Sequence, residues 1–246
     1  MWGVTQNIYD EDGFFAGYSQ LPRSRRGLEG APEWQSLRAM LPEEMAGLRV
    51  LDLGCGFGWF CRWALDRGAR SVTGIDVSKK MLARAQQESD PAIRYIEADL
   101  DSLTIAHASA DLIYSSLAFH YVTNLEALVV QIAGALPRGG QLVFSVEHPM
   151  VTAPLHQGWS EDSEGAKAWP VNHYLEDGPR TTNWLAPRVV KQHRSMATYL
   201  NMLLRHAFTL THLEEWGPTE AQSAEDSSLL DERHRPTFLL VSTVRR

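Results

Sequence analysis

Three aspartates and a glycine-rich turn are the residues of this chain best suited to binding a ligand. Asp52, Asp76 and Asp99 stand at or just beyond the ends of short apolar runs, and the turn Gly54-Cys55-Gly56-Phe57-Gly58, here called the glycine loop, follows the first of them. Glycine adopts positive φ and lets the backbone approach a ligand closely. A helix that begins beyond such a turn offers free N–H groups and a partial positive charge. The pattern indicates a cradle for a nucleotide-like ligand.

The spacing of the glycines narrows the choice of ligand. The loop has the form G-x-G-x-G instead of the G-x-G-x-x-G of dinucleotide sites, and Asp52 lies two residues before its first glycine. A carboxylate repels a pyrophosphate, whereas it attracts an ammonium group. Asp76 can accept both hydroxyls of a ribose. The alternative for Asp76 is a charge at the N-terminus of the helix that begins near Ser78.

The third aspartate, Asp99, follows a third apolar run in Ala98-Asp99-Leu100. A carboxylate in this place can accept a hydrogen bond from an adenine amino group, while its apolar neighbours cover the ring. Asp101 stands close by and competes for the same role.

Alternating strand and helix patterns position these residues. Apolar runs predict strands over residues 49–54, 71–76, 93–98, 111–115 and 141–146. Helical spacing lies between them, over residues 59–65, from the N-cap Ser78 onward, and over residues 125–136. This order predicts βαβ units and a parallel sheet, in which the loops at the carboxyl ends of the strands meet at one crevice.

The pattern changes after the fifth strand. Residues 148–194 are rich in proline, glycine and tryptophan, which predicts an irregular insertion with one hairpin that roofs the crevice. A helix is expected over residues 196–207, and two strands over residues 208–216 and 236–244. The polar stretch between these strands, residues 217–235, is expected to be a mobile loop.

Together these motifs resemble the class I S-adenosylmethionine-dependent methyltransferases, and specifically their small-molecule branch. Residues 52–58 match the first motif of that family, residues 74–78 with Met81-Leu82 match the second, and residues 98–100 match the third. The likeness is close over residues 47–147 and looser over the last two strands. It implies a Rossmann-like α/β fold: a seven-stranded, mostly parallel sheet with helices on both faces, an antiparallel last strand and a lid insertion after strand five.

The resemblance also implies a single domain, with S-adenosyl-L-methionine as cofactor and S-adenosyl-L-homocysteine as product. Its four segments are an N-terminal cap segment (residues 1–46), a cofactor-binding core (47–147), a lid insertion (148–194) and a C-terminal helix and strands (195–246). The cofactor-binding residues that it implies are Asp52, Gly54, Cys55, Gly56, Gly58, Asp76, Val77, Met81, Asp99, Leu100 and Ser115.

The roles that the resemblance assigns to these residues agree with the chemistry above. The glycine loop wraps the methionine part of the cofactor, and Asp52 lies near its ammonium group. The backbone of Ser115 lies beside the methionine carbons, and Met81 covers one face of the adenine.

The stretch after strand four departs from one motif of the family. Members that methylate amides or exocyclic base nitrogens carry Asn/Asp-Pro-Pro-aromatic, whereas residues 115–121 read Ser-Ser-Leu-Ala-Phe-His-Tyr. This disfavours such acceptors. If the in-line displacement uses a base, His120 and His148 are the candidates by position, with Tyr121 behind them. The alternative for each histidine is a structural or solvated side chain.

Two clusters near the N-terminus lie outside the strand-helix pattern. The first is aromatic and is predicted to fold over the crevice, where ring faces suit a sulfonium cation, or else to pack as a helix on the sheet edge; its members are Tyr9, Phe14, Phe15 and Tyr18. The second is basic and is expected to lie in a solvated loop rather than against a ligand; its members are Arg23, Arg25 and Arg26.

Composition limits the partners. The net charge of −7 and the absence of a basic face argue against a nucleic-acid substrate, and no run of about 18 apolar residues suggests a membrane helix. The polar, acidic start of the chain predicts a cytoplasmic protein, and its two cysteines predict neither disulfides nor a metal site. The partner expected is a small-molecule acceptor. The alternatives are a non-catalytic adenosylmethionine-binding module and an NAD-dependent oxidoreductase.

Overall fold

Seven strands form the central sheet of the protein, which is described here from a computed structural model over residues 6–246. The strands of this sheet are β1 (Arg49–Leu53), β2 (Ser71–Asp76), β3 (Ile93–Glu97), β4 (Leu112–Ser116), β5 (Gln141–Glu147), β10 (Phe208–Trp216) and β11 (Phe238–Arg245). They lie side by side in the order β10-β11-β5-β4-β1-β2-β3. Four further strands, β6 to β9, belong to the insertion that follows β5.

The directions of the strands place the ligand-binding loops at one edge of the sheet. Strands β1 to β5 pair in parallel, whereas β11 is antiparallel to both β5 and β10. The predicted seven-stranded sheet with an antiparallel last strand is therefore confirmed. The order reverses beside β1, and ligands of open α/β sheets bind at such a point.

Helices cover both faces of the sheet, as predicted. They are α3 (Trp34–Met40), α4 (Trp59–Asp66), α5 (Lys79–Gln87), α6 (Leu125–Ala135) and α8 (Met196–Arg205). On one face α3 and α4 bury Trp34 and Phe60 against the sheet. On the other face α6 and α8 bury Ile132 and Met202. Each helix covers its face because its apolar residues recur at helical spacing.

The N-terminal segment crosses the carboxyl edge of the sheet. It contains α1 (Asp12–Ser19) and α2 (Pro22–Arg25), while the first five residues of the predicted cap segment lie outside the described residues. Just before α1, the carboxylate of Asp10 accepts hydrogen bonds from the Ser78 hydroxyl (2.6 Å) and the backbone N–H of Lys80 (3.1 Å). An anion is stabilised at a helix N-terminus. Asp10 thus attaches the N-terminal segment to the start of α5.

The insertion after β5 is more regular than the sequence predicted. It begins with α7 (Pro149–Thr152) and contains two hairpins, one of β6 (Ser160–Glu161) with β7 (Lys167–Ala168), and one of β8 (Gly178–Trp184) with β9 (Ala186–His193). The buried Arg180 stabilises the second hairpin by donating to the backbone carbonyls of Ala153, His173 and Glu176. The composition of this insertion predicted only one hairpin.

The prediction of a mobile loop over residues 217–235 is wrong. This stretch contains α9 (Glu220–Glu225) and two 3₁₀ turns, Ser227–Leu229 and Asp231–His234. Thr219 and Gln222 form a capping box at the start of α9, and the Gln222 side chain also donates to the carbonyl of Pro32 (2.8 Å). The polar side chains of this stretch therefore form hydrogen bonds with backbone groups, and composition alone does not reveal such bonds.

Within residues 6–246, no helix is long and apolar enough to cross a bilayer.

The Ser78 hydroxyl provides a test of how the N-terminal segment and α5 support each other. It accepts from the backbone N–H of Met81 (3.1 Å) as an N-cap and donates to Asp10. We expect Ser78→Ala to lower the free energy of unfolding by about 1–2 kcal/mol, because a cap is lost and the partly buried carboxylate of Asp10 loses a donor. Urea denaturation followed by circular dichroism measures this change. The control is Ser71→Ala, at an exposed position, which should unfold as the wild type does.

Candidate active site

A cavity of about 730 Å³ opens at the carboxyl edge of the sheet. Its lining includes the glycine loop after β1, Asp76 at the end of β2, Asp99 after β3, Ser116 in β4 and Glu147 at the end of β5. The N-terminal segment, the insertion and residues 222–238 supply the remaining walls. The strand directions bring together loops that lie far apart in the sequence.

The glycine loop requires glycine for steric reasons. Gly54 has φ of +80°, and a Cβ there would lie 2.3 Å from the Cβ of Ala118. Gly58 has φ of +73°, and its Cβ would lie 2.1 Å from the hydroxyl of Tyr95. Other residues rarely adopt this backbone conformation. The loop is attached to β2, since the N–H groups of Gly54 and Cys55 both donate to the carbonyl of Ile75 (2.8 and 3.0 Å).

Asp76 links two parts of the site. One carboxylate oxygen accepts from the N–H of Gly56 and the other from the N–H of Ser78, each at 2.9 Å. Burial raises the pKa of Asp76, while these backbone donors oppose the rise. The side chain lines the cavity. Asp76 thus lies at the start of α5 and also faces the cavity, a position compatible with both interpretations from the sequence.

Asp52 lies behind the glycine loop and does not contribute to the cavity lining. Its carboxyl is 2% exposed and accepts from the Cys61 thiol at 3.3 Å. Burial raises the pKa of Asp52 to about 7, although the thiol donor acts in the opposite direction. A carboxyl with this pKa changes its charge near neutral pH and so responds to any nearby cation.

The predicted residues divide into two groups by position. Those that line the cavity are Gly54, Gly56, Asp76, Val77, Met81, Asp99, Leu100 and His120. Those outside the lining are Asp52, Cys55, Gly58, Ser115 and His148. Ser115 donates its hydroxyl to the carbonyl of Leu53 (2.7 Å), which ties β4 to β1. Asp99 lines the cavity whereas Asp101 does not, and Asp101 accepts from the N–H groups of Thr123 and Asn124.

Aromatic side chains form a further part of the cavity wall. Tyr9, Tyr18, Tyr121 and Trp184 all contribute to the lining. Tyr9 contacts Tyr18 and Tyr121 edge to face, at centroid distances of 5.4 and 6.0 Å. Tyr9 and Tyr18 therefore lie over the crevice, as predicted, whereas Phe14 and Phe15, which share helix α1 with Tyr18, do not line the cavity.

The two candidate histidines have different surroundings. His120 lines the cavity, and its Nδ1 accepts from the N–H of Glu147 (3.3 Å). Burial lowers the pKa of His120 to about 4, so at neutral pH the ring is uncharged with its proton on Nε2. His148 accepts from the N–H of Met150 as the N-cap of α7, and its Nε2 contacts Glu215 (3.0 Å). His148 therefore caps a helix and lies outside the cavity lining, a position that does not favour the predicted catalytic role.

Glu147 is a site residue that the sequence analysis missed. It lines the cavity at the end of β5, and one carboxylate oxygen accepts from the ammonium group of Lys191 (2.5 Å). Burial alone would raise the pKa of Glu147, but Lys191 and then His120 outweigh it, and the pKa is lowered. The carboxylate is thus ionised at neutral pH. Its position directly after an apolar strand was the available signal.

The basic cluster also requires a correction. Arg23 lies on α2, where its guanidinium is 3.0 and 3.1 Å from the two oxygens of the buried Glu33, and both Arg23 and Arg26 line the cavity. Arg25 and Arg26 are both exposed, as expected for solvated side chains, although Arg25 ends helix α2. Spacing along the chain did not reveal Glu33 as a partner.

The residues present fit S-adenosylmethionine in size and chemistry. Sites for molecules of this size occupy roughly 300–1,000 Å³. A hydroxyl-accepting carboxylate (Asp76), a second carboxylate (Asp99) and an apolar side chain (Met81) lie along one side of the cavity, beside the backbone of the glycine loop. Aromatic rings at the other end suit a sulfonium cation.

Comparisons with known proteins agree with this geometry. Residues 51–144 match the family model described as a methyltransferase domain. The crystal structure of an S-adenosylmethionine-dependent methyltransferase from Mesorhizobium loti is 53% identical with a TM-score of 0.84, and the match covers 89% of this chain and all of that one. The chain therefore belongs to the S-adenosylmethionine-dependent methyltransferases. The cofactor is S-adenosylmethionine, as the motifs predicted, rather than NAD.

Two further relatives bear on the acceptor. An uncharacterized protein of Haemophilus influenzae is 32% identical over 245 residues, which cover 96% of this chain and 95% of that protein. The malonyl-[acyl-carrier protein] O-methyltransferase of Pectobacterium atrosepticum is 35% identical over 125 residues, which cover 51% of this chain and 48% of that enzyme. The second match spans about half the length of each protein.

The raised pKa of Asp52 predicts a specific dependence of stability on pH. An unfolded aspartate titrates near 3.9, so between about pH 4 and 7 the folded state holds a proton that the unfolded state has lost. Stability from this group is complete below about pH 4 and is lost as the pH rises through about 7. We expect the stability of Asp52→Asn relative to wild type to rise, on the order of 3 kcal/mol, between pH 4.5 and 8.

Urea midpoints of the ligand-free protein across that range measure the effect. The exposed Asp66→Asn is the matched control and should follow the wild type at every pH. A constant difference between Asp52→Asn and wild type would contradict the assignment.

Proposed function

We propose that this enzyme transfers a methyl group from S-adenosylmethionine to a small-molecule acceptor by in-line displacement. The single observation that carries the proposal is the continuity of the cavity, whose lining includes the glycine loop and Asp76 together with Glu147 and several aromatic side chains. One cavity with chemically distinct walls suits a donor and an acceptor held together, and most of the rate gain in such a reaction comes from alignment.

The cofactor end of the cavity supports specific roles. Asp76 would hold the ribose hydroxyls, Asp99 the adenine amino group and Met81 one face of the ring. The glycine loop would bind the methionine part, with Asp52 near its ammonium group. Such an ammonium would lower the pKa of Asp52 from its value of about 7, so that binding and ionisation support each other.

The acceptor end supports alignment and removal of a proton. Bound S-adenosylmethionine supplies a methyl group on a sulfonium, which is already a good leaving group. Tyr9, Tyr121 and Trp184 would exclude water around it. Glu147 is placed to accept the proton that an acceptor loses, whereas His120, with its Nδ1 engaged, would orient Glu147 through the backbone.

We also propose that the four segments act as one domain. The N-terminal segment and the insertion would form a common cover, because Phe14 and Tyr18 of α1 contact Trp184 of β8 at centroid distances of 5.6 and 6.3 Å. The non-catalytic alternative has less support, since a module that only binds a cofactor does not need an enclosed acceptor end.

A carrier-protein-bound acceptor is the second candidate. Besides the half-length match, the malonyl-[acyl-carrier protein] O-methyltransferase of Erwinia billingiae is 28% identical over 217 residues, which cover 85% of this chain and 83% of that enzyme. The basic side chains Arg23 and Arg26 in the lining favour it to a degree, because a malonyl group carries a free carboxylate.

Cofactor binding is the first test of the proposal. Calorimetric titration should show saturable micromolar binding of S-adenosylmethionine and S-adenosylhomocysteine and none of NAD. We expect Asp76→Ala to weaken both at least tenfold, because the ribose loses its acceptor and the glycine loop loses a hydrogen bond. The exposed Asp66→Ala should bind as the wild type does. Binding of NAD alone would refute the methyltransferase assignment of this cavity.

The two acceptor candidates give different kinetics. Malonyl-acyl-carrier protein and malonyl-coenzyme A carry the same acyl group, so methyl transfer to each can be followed by mass spectrometry. For a small-molecule enzyme we expect no transfer to either, or kcat/KM values within tenfold of each other. A preference above about 100-fold for the carrier protein, worth about 2.7 kcal/mol, would establish the second candidate instead.

A further inference from the structure

Two side chains of the cavity lining hold buried polar atoms that lack a hydrogen-bond partner. They are Glu147, through Oε2, and Arg235, through Nε and Nη1. Neither side chain finds a partner for these atoms among residues 6–246. A buried donor or acceptor without a partner is costly, so such atoms in a cavity wall indicate contacts that a ligand supplies.

Arg235 is fixed in position by neighbours that leave part of its guanidinium free. Its side chain is 6% exposed, and the guanidinium carbon lies 4.0 Å from the ring centroid of Trp169 and 5.2 Å from that of Trp159. Nη2 donates to Glu232 (3.2 Å), and Nη1 lies 3.1 Å from the same carboxylate without the geometry of a hydrogen bond. A guanidinium fixed in this way loses little freedom when it binds an anion.

Glu147 provides a group of opposite charge in the same wall. Its Oε1 accepts from the ammonium group of Lys191 (2.5 Å), whereas Oε2 has no donor. The charges of Glu147 and Arg235 also interact with each other, since burial lowers the pKa of Arg235 while Glu232 and then Glu147 oppose that fall. A free acceptor and free donors therefore belong to one region of the cavity.

The other arginines of the lining are less suited to an anion. Arg23 already contacts both oxygens of the buried Glu33, and Arg26, which forms no ion pair in the described part of the chain, is exposed, so that water hydrates its charge. An anion in the open part of the cavity would also be repelled by carboxylates. Three exposed carboxylates line the cavity: Glu29, Glu225 and Asp226.

We propose that the acceptor carries an oxyanion, a carboxylate or a phosphate, in addition to the hydroxyl or amino group that receives the methyl group. The oxyanion binds the free donors of Arg235, and the hydroxyl or amino group donates to Oε2 of Glu147. The proton of that group moves to Glu147 as the methyl group is transferred, whereas the oxyanion keeps its charge. Arg235 thus determines specificity. This inference rests on the proposed function and names its substrate class.

Probes that share a chain and differ at its ends test this inference. They are 3-hydroxypropanoate and 6-hydroxyhexanoate, with hydroxy amides, hydroxyalkyl phosphonates and amino alcohols of matching length, and the two alkanoates that lack the hydroxyl group. Each is titrated at pH 7 into the protein saturated with S-adenosylhomocysteine, and binding is followed by NMR at the Nε–H resonance of Arg235.

We expect the tighter of the two hydroxyalkanoates, or its phosphonate, to bind at least tenfold more tightly than the matching amide or amino alcohol, because a hydrogen bond between charged groups is lost in both. The comparison of carboxylate with phosphonate distinguishes the two kinds of oxyanion. The hydroxyalkanoate should also bind at least threefold more tightly than the alkanoate, which has no donor for Glu147.

A double variant tests the role of Arg235. Arg235→Gln with Glu232→Gln removes both charges of the pair, so that no buried ion is left alone and the fold should persist. We expect the preference for the oxyanion over the amide to disappear, while S-adenosylhomocysteine binds as in the wild type. The matched control, Arg233→Gln with Glu220→Gln, removes an exposed Arg–Glu pair of the same stretch outside the cavity lining and should keep the preference.

A second double variant tests the role of Glu147. Glu147→Leu with Lys191→Met removes the other buried pair. In this protein the hydroxyalkanoate should lose its advantage over the alkanoate but keep its advantage over the amide.

Three results would overturn the inference. The first is a wild type that binds no oxyanion probe more tightly than its amide, and the second is an oxyanion preference that survives in the Arg235 double variant. The third is a tenfold loss of S-adenosylhomocysteine affinity in that variant, which would assign Arg235 to the carboxylate of the cofactor. Failure of the wild type to bind S-adenosylhomocysteine would instead refute the proposed function.

Discussion

The hydrogen bond from the backbone of Gly56 to the carboxylate of Asp76 is the contact on which the site depends. It joins the turn after the first strand to the end of the second, and the same carboxylate accepts from Ser78 at the start of the next helix. A turn with three glycines at positive φ has many open conformations. The hydrogen bonds to Ile75 and Asp76 select one of them, and in it the cradle has its shape before a ligand arrives.

The two ends of the cavity follow different physical rules. At the cofactor end, Asp76 and Asp99 line the cavity, and both also accept hydrogen bonds from backbone N–H groups of this chain. Elsewhere in the lining, Arg23 and Glu147 have charged partners from this chain, Glu33 and Lys191, whereas Arg26 forms no ion pair with any residue in the range 6–246.

The sequence predicted well those features that depend on local pattern. Alternating strands and helices, the glycine loop and the N-cap Ser78 all follow from residue type and short spacing, and the structure has each of them. It predicted poorly those that depend on distant partners. Arg23 and Glu147 acquire their roles from Glu33 and Lys191, the latter 44 residues away, and the capping box at Thr219 orders a stretch whose composition suggests disorder.

The attachment of the N-terminal segment through Asp10 has a kinetic consequence. The same segment supplies Tyr9 and Tyr18 to the enclosure and is anchored on the helix that begins beside Asp76. Whatever frees this anchor uncovers the acceptor and loosens the cofactor end together. Turnover would then be limited by one opening motion of the N-terminal segment. The nucleoside product and the methylated product would both leave during that motion.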